Sequence, residues 1–146
     1  MITVSIVTFH TAIEELQKCL QSLTSSHIEC IFIIDNSQED YIRTFCATQP
    51  KIEYIPQDNI GYGAAHNIAI AKSIARHATY HLVLNSDVYF APDSMNAIES
   101  YMDEHPNVGQ LIPNTIYPDG QFVVPNATTE VSMGMRIHLV CSEQDS

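Results

Sequence analysis

The sequence has few basic residues and no tryptophan. Six lysines and arginines stand against seventeen aspartates and glutamates in 146 residues, which gives a net charge of −11 with the histidines neutral. Proteins that hold nucleic acid mainly through phosphate contacts, or that dock onto anionic lipid with a basic surface, need the opposite sign. The composition therefore predicts no nucleic-acid partner, although it is compatible with a local basic pocket.

Long apolar runs and paired cysteines are also missing. No run approaches the roughly 18 residues of a membrane span, and the N-terminus lacks the basic and apolar regions of a signal peptide. The four cysteines are irregularly spaced without a C-x-x-C pair, which argues against a zinc site or a redox motif. We predict no transmembrane segment, and reduced cysteines in a cytoplasmic protein.

Apolar segments with strand and helix periodicities alternate along the chain. Runs rich in β-branched residues predict strands at 2–8, 30–34, 52–55, 80–84 and 108–112. Helical spacing of apolar residues predicts helices at 13–25, 39–46, 64–77 and 92–104. A hairpin is expected at 116–124 and one more strand at 137–141. The alternation predicts an α/β domain with a mostly parallel sheet flanked by helices.

Polar or glycine-rich residues follow each of the first four predicted strands. In a parallel sheet these positions lie at one edge, where ligands of such folds bind. The segments are 8–10, 35–37, 59–63 and 85–87. Turn formation alone favours some of these residue types, but four such loops at one edge predict a composite site.

Two glycines before the third helix form the start of a possible phosphate loop. Gly61 and Gly63 begin like a G-x-G-x-x-G motif, but the third glycine is absent and the loop follows the third strand, so a dinucleotide-binding dehydrogenase is not indicated. Glycines allow close approach of a ligand to the backbone, and a helix N-terminus attracts anions. The same glycines are also expected at the start of a helix that binds no ligand. His66 is expected at a phosphate or on the surface.

The segment after the fourth strand contains a candidate metal ligand. A carboxylate at Asp87 can hold a hard divalent cation when a diphosphate and water supply the remaining oxygens. The Asn-x-Asp pattern by itself is common in turns. The hypothesis of a metal ligand therefore depends on the position of the pattern at the end of a predicted strand. No mutual ligand spacing links the histidines.

Taken in order, these motifs resemble those of family 2 glycosyltransferases, in the branch that contains rhamnosyltransferase-like enzymes. The resemblance rests on residues 4–10, 34–37, 59–67 and 84–88, with Pro113 and the turn at 117–120. It covers about residues 2 to 124. It implies the GT-A fold, a Rossmann-like α/β fold that binds a nucleoside-diphosphate sugar.

The resemblance also implies roles for individual residues. Bordering the nucleoside would be Thr8, Phe9 and His10. Asp35 would hydrogen-bond the base, and Asn36 and Ser37 would shape the adjoining loop. The nucleotide-sugar pocket would be lined by Asn59, Gly61 and Gly63, with Asn67 facing it from the next helix. Asn85 and Asp87 would occupy the DxD-like position, where Asp87 binds Mg²⁺ or Mn²⁺ on the diphosphate of a UDP- or dTDP-sugar.

The implied reaction is transfer of the sugar, with inversion, to a glycan or lipid-linked acceptor in surface polysaccharide synthesis. Such an enzyme would work in the cytoplasm or peripherally at the inner face of the membrane. Residues 1–125 would form the donor-binding domain, and 126–146 the start of a truncated acceptor-side region or a tail. A homo-oligomer and a missing C-terminal half both stay open.

No residue can be assigned as the catalytic base that the resemblance requires. The acids after the predicted hairpin are Glu130, Glu143 and Asp145, and none lies in a motif. One alternative is therefore a non-catalytic fragment that binds nucleotide sugar. A nucleotidyltransferase is a further alternative, although residues 8–11 lack the glycine and lysine of that family's phosphate loop.

Overall fold

The computed structural model describes residues 1–113 and the strands at 115–116 and 139–141. The chain divides into two compact units. One comprises residues 1–17 and 26–86, and the other comprises residues 18–25 and 87–146.

The first unit contains a four-stranded parallel sheet in the order β3-β2-β1-β4. Its strands are β1 (Ile2–Thr8), β2 (Ile28–Asp35), β3 (Ile52–Pro56) and β4 (Tyr80–Asn85). The connecting helices are α1 (Ile13–Gln21), whose residues from Lys18 onward belong to the second unit, α2 (Asp40–Ala47) and α3 (Tyr62–Ala75). Strands are added in one direction from β1 to β3, and β4 then pairs with the other side of β1. This reversal is the point at which doubly wound sheets open a ligand crevice.

The central strands are buried along their length. All seven residues of β1 are buried, and in β2 only Glu29 is exposed. Parallel strands covered on both faces are expected to be continuous apolar runs, as β2 is here. On one face Ala65 and Ala69 of α3 pack against Phe32 and Ile34. Their small side chains let the helix lie close to the sheet, so the N-terminus of α3 is held at the carboxyl edge.

The second unit contains α4 (Ser94–Glu104) and the strands β5 (Val88–Phe90), β6 (Thr115–Ile116) and β7 (Leu139–Cys141). The strand order is β5-β7-β6, with β7 antiparallel to β5 and parallel to β6. Within this unit the Lys18 ammonium lies 3.9 Å from the centre of the Tyr89 ring.

The predicted α/β class and the parallel sheet are confirmed, and β7 lies within the strand predicted at 137–141. The strand predicted at 108–112 is wrong, because these residues have no regular structure. Gly109 interrupts that segment between Pro106 and Pro113, and Ile112 is 68% exposed, so the segment lacks the burial that stabilises a strand. The predicted hairpin lies outside the described residues beyond residue 116.

Helix boundaries also differ from the predictions. The first helix ends at Gln21 rather than at residue 25, and α3 begins at Tyr62, two residues early. The fourth helix begins at Ser94, because Asp93 before it takes a left-handed backbone conformation with φ 67°. Among the described helices, none is both long and apolar enough to cross a bilayer.

Candidate functional site

The carboxyl edge of the parallel sheet brings four loops of the first unit together. They follow β1, β2, β3 and β4. Together with the last residues of these strands they contain every predicted site residue except Gly63 and Asn67, which lie on α3, and Asp87. The backbone joins two of these loops directly, because the amide of Asn36 donates to the carbonyl of Thr8 at 2.9 Å. The predicted composite edge is therefore present in the fold.

Asp35 is the centre of the hydrogen bonding at this edge. Its side chain is fully buried and accepts five hydrogen bonds. Oδ1 accepts from the Thr8 hydroxyl at 3.1 Å, and from the amide and hydroxyl of Ser37 at 3.2 and 2.8 Å. Oδ2 accepts from the Glu39 amide and the Tyr54 hydroxyl, each at 2.8 Å. The acceptor sites of the carboxylate are therefore filled by donors of this chain.

These contacts also decide the charge of Asp35. Burial alone raises the pKa of its carboxyl, but the hydrogen bonds from Tyr54, Ser37 and Glu39 outweigh burial and bring the pKa below its ordinary value. Asp35 is consequently a carboxylate at neutral pH. Burial first, and then the hydrogen bond to Asp35, raise the pKa of Tyr54, so its hydroxyl stays protonated and donates.

The loop after β1 is tied to the loop after β2. The His10 amide donates to the Ser37 hydroxyl at 3.0 Å, and His10 Nδ1 lies 2.6 Å from Glu39 Oε1. His10 takes a left-handed conformation with φ 49°, which is uncommon for a residue other than glycine. The neighbouring Phe9 ring is 53% exposed and lies edge-on to the imidazole of His10. This pair presents an aromatic surface to solvent beside the Asp35 cluster.

The loop after β3, which contains Gly61, is hydrogen-bonded to the loop after β2. Gln38 Nε2 donates to Asp58 Oδ1 at 3.0 Å, and Asn59 Oδ1 accepts from the Gly61 amide at 3.3 Å. Gly61 has φ 88°, a conformation that side-chain-bearing residues rarely adopt, and it caps α3. A Cβ placed on Gly63 would meet no atom within 4 Å. Packing in the described protein therefore does not require glycine at position 63, and open space lies beside the first turn of α3.

Tyr62 links the start of α3 to the end of β4. Its hydroxyl donates to Asn85 Oδ1, and its ring lies edge-on to His66 with centroids 4.4 Å apart. Both Tyr62 and Asn85 are exposed. The sequence contains no signal for this contact, because the two residues meet only when α3 packs back on the sheet.

His66 is buried, which corrects its predicted place at a phosphate or on the surface. It is 3% exposed because the helix turns it onto the sheet. Its Nδ1 lies 2.7 Å from the Ser5 hydroxyl, which is also 2.9 Å from His81 Nε2. The chain continues from His81 Nδ1 to Thr3 and from Thr3 to Ser73, at 2.8 and 2.5 Å. These five side chains, Ser73, Thr3, His81, Ser5 and His66, form the buried polar chain.

Both imidazoles of the buried polar chain are held neutral. Burial, and then the neighbouring His81, lower the pKa of His66 to about 4, and burial lowers the pKa of His81. Nε2 of His66 is buried without a hydrogen-bond partner among the described residues. A protonated His66 would have no opposite charge among its hydrogen-bond partners, so it stays neutral. The buried polar chain therefore acts as an uncharged structural link between α3, β1 and β4.

Asp87 lies in the turn between β4 and β5. It is the first residue of the segment 87–146, which belongs to the second unit. Among the residues described, no group of three or more histidines, cysteines or acids could hold a metal by itself. A single carboxylate can hold a hard cation only where a diphosphate and water supply the other ligands.

Comparison with known proteins identifies the family. The family model described as glycosyl transferase family 2 matches residues 3–139. The chain belongs to this family. No protein in the curated comparison matches the sequence.

Two solved structures of the Staphylococcus aureus (S. aureus) protein TarS are similar to the chain. The fragment of TarS residues 1–349 has a TM-score of 0.63 and 18% identity, covering 86% of this chain and 38% of that one. A second TarS structure has a TM-score of 0.64 and 18% identity, covering 88% and 24% respectively. The likeness confirms the GT-A fold. The chain spans less than two fifths of the length of the TarS fragment and about a quarter of that of the second structure.

Proposed function

We propose that this family 2 chain binds a nucleoside-diphosphate sugar at the carboxyl edge of its sheet and provides the donor side of a glycosyltransferase. The observation that carries the proposal is the family match over residues 3–139, together with the linked loops around Asp35. The donor is a UDP- or dTDP-sugar. The acceptor is a glycan or a lipid-linked glycan of a surface polysaccharide, at or near the inner face of a membrane.

The nucleoside end of the proposed site is the Asp35 cluster. Thr8, Phe9 and His10 border the nucleoside, and the exposed Phe9 ring offers a flat apolar surface to a base. Asp35 accepts from the base, which requires one of its internal donors to move or to share the oxygen. Asn36 is buried, and Ser37 holds the His10 amide, so both shape the loop around the base.

The diphosphate end lies at the start of α3. Asn59, Gly61 and Gly63 line the pocket there, with open space beside both glycines, and the N-terminus of a helix favours an anion. Asn67 follows on the same helix. Since the whole chain carries a net charge of −11, a diphosphate needs local compensation. Asn85 and Asp87 would occupy the DxD-like position, where Asp87 would hold Mg²⁺ or Mn²⁺, which when bound neutralises charge on the departing nucleoside diphosphate.

Transfer with inversion requires a base that removes the proton of the acceptor hydroxyl. None of the described residues is assigned this role, and Glu130, Glu143 and Asp145 lie outside the described residues. We propose that transfer proceeds with inversion and that the donor-binding domain ends at residue 125. The rival proposal is a binding fragment that takes the donor without turnover.

A thermal unfolding series tests donor binding. The protein is heated with UDP, dTDP, GDP and their sugars, with and without Mn²⁺, alongside Asp87→Ala and Asp40→Ala. The Asp40→Ala control removes an exposed aspartate from α2. A ligand at about 100 times its Kd adds about 2.7 kcal/mol, or roughly 10 °C at this chain length. We expect a Mn²⁺-dependent shift with uridine or thymidine nucleotides that Asp87→Ala loses and Asp40→Ala keeps.

Product analysis separates the two proposals. Release of free sugar or transfer to added acceptor by the wild-type chain supports an enzyme, and binding without either supports the fragment. Absence of a shift with every nucleotide in folded protein would contradict both.

A further inference from the structure

The hydrogen bonds of the buried polar chain have a direction that follows from counting its hydrogens. Each hydroxyl can donate one hydrogen bond, and each neutral imidazole carries one N–H. The Ser73 hydroxyl has the Thr3 hydroxyl, 2.5 Å away, as its hydrogen-bond partner among the described residues, so Ser73 donates to Thr3. The Thr3 hydroxyl is then left to donate to Nδ1 of His81 at 2.8 Å.

The remaining hydrogen bonds follow from that start. Because Nδ1 of His81 accepts, the ring carries its hydrogen on Nε2, which donates to Ser5 Oγ at 2.9 Å. The Ser5 hydroxyl in turn donates to Nδ1 of His66 at 2.7 Å. His66 therefore also carries its hydrogen on Nε2, the atom that is buried without a hydrogen-bond partner among the described residues.

The opposite direction leaves more polar groups unsatisfied. If Nδ1 of His66 donated to Ser5 and each later group donated onward, the Ser73 hydroxyl would have no acceptor within the described part of the chain, and Nε2 of His66 would have no donor. Two buried groups would then lack a hydrogen bond instead of one, and each such group costs stability. The count requires neutral rings, and burial lowers the pKa of both imidazoles.

The His66 end of the buried polar chain contacts Tyr62. The two rings are edge-on, with an angle of 76° between their planes and 4.4 Å between their centroids. The Tyr62 ring is 48% exposed and lies between Gly61 and Gly63, so a fixed imidazole beside it limits the conformations that it can adopt. The Tyr62 hydroxyl donates to Asn85 Oδ1 at the end of β4. A continuous series of contacts therefore runs from Ser73 to Asn85.

We propose that the buried polar chain fixes His66 as the Nε2–H tautomer, and that His66 is a positioning residue that orients Tyr62 and, through its hydroxyl, the Asn85 side chain. The proposal rests on the proposed function above, in which Asn85 belongs to the diphosphate end of the donor site. The orientation depends on Ser5, because its hydroxyl joins the two imidazoles. It does not depend on Ser73, because Thr3 can donate to His81 without it.

The tautomers are read directly by ¹⁵N NMR of the histidine rings in wild type at pH 7. The signals of His66 and His81 are assigned by their loss in His66→Leu and His81→Leu. We expect both rings to carry the hydrogen on Nε2. A hydrogen on Nδ1 of His66 would overturn the proposal, whatever the protein binds.

The positioning role is tested with Ser5→Ala, with Tyr62→Phe and with Ser73→Ala as the control. Both serine variants remove a buried hydroxyl of the same chain. The Kd values of UDP and dTDP are measured by calorimetry with Mn²⁺ and with EDTA, and their ratio reports the diphosphate end of the site. We expect the gain in affinity from Mn²⁺ to fall about 5- to 10-fold in Ser5→Ala and Tyr62→Phe, and to stay at the wild-type value in Ser73→Ala.

A purely structural role would give a different pattern. Both serine variants would then lose stability in urea while the Mn²⁺ ratio stayed at the wild-type value, and the positioning role alone would fail. If wild type binds neither nucleotide, or gains no affinity from Mn²⁺, the proposed donor site fails and this proposal with it. Should Ser5→Ala not fold, the exposed Tyr62→Phe substitution decides, and a wild-type Mn²⁺ ratio in that variant would overturn the proposal.

Discussion

The buried polar chain makes the stability of the protein depend on pH below neutrality. His66 has a pKa of about 4 in the folded protein against 6.5 when exposed, so only the unfolded chain binds this proton between those values. Protonation therefore favours unfolding, and stability is lost as pH falls from 6.5 to about 4. At 1.36 kcal/mol for each pKa unit, His66 alone accounts for about 3 kcal/mol. His81, with a lowered pKa, acts in the same direction.

The assay is urea unfolding at intervals from pH 7 to pH 4, for wild type, His66→Leu and His77→Asn. His66→Leu removes the buried imidazole, so its unfolding free energy should fall less steeply over this range than that of wild type. The control removes an imidazole that is exposed in the folded protein, and asparagine tolerates the left-handed backbone at position 77. We expect His77→Asn to keep the wild-type slope.

The comparison uses the change of the unfolding free energy with pH. It therefore does not depend on how much His66→Leu lowers that free energy at pH 7. Equal slopes for wild type and His66→Leu would refute the reasoning, because His66 would then take up its proton as readily in the folded chain as in the unfolded one. A slope in His66→Leu that is reduced but still positive is expected, since His81 remains.

Three other substitutions test parts of the site and its frame. Gly63→Ala should leave urea stability unchanged or up to about 1 kcal/mol higher, since its Cβ meets no atom, yet weaken nucleotide binding at least 10-fold in calorimetry; unchanged binding would exclude a close ligand approach. Asp35→Asn should lower the unfolding free energy by about 2–4 kcal/mol at pH 7, because an amide nitrogen cannot accept from the surrounding donors. That difference should narrow as pH falls below 3.8 and through the lower pKa of the folded carboxyl, where wild type also loses its charge, and a constant gap in acid unfolding curves would contradict it. Glu53→Gln removes the partner of Lys72 and Arg76, at 2.9 and 2.7 Å, and should cost under about 1 kcal/mol in urea unfolding, an effect that disappears in 1 M salt; a larger, salt-independent loss would show that the pairs are not surface interactions.

The positions of the site loops followed from local sequence. Strands β1 to β4 are short runs rich in β-branched and apolar residues, which favour extended backbone. Each run ends at a turn-forming residue, so the sequence predicted which residues would occupy the carboxyl edge. The strand predicted at 108–112 was wrong because apolar content alone does not supply a pairing partner.

The contacts that make those loops a defined site depended on the tertiary structure. Tyr54 reaches Asp35 only through the register that pairs it with Ile33, and Tyr62 reaches Asn85 only because α3 packs back over β1. His66 was expected at a phosphate or on the surface, but the packing of α3 through the small Ala65 and Ala69 places it against Ser5. Local sequence determined where the chain extends and turns, because those preferences act over a few residues. Strand register and helix packing bring together residues that are far apart in the chain. They therefore decided which polar groups form hydrogen bonds and which side chains are charged or neutral.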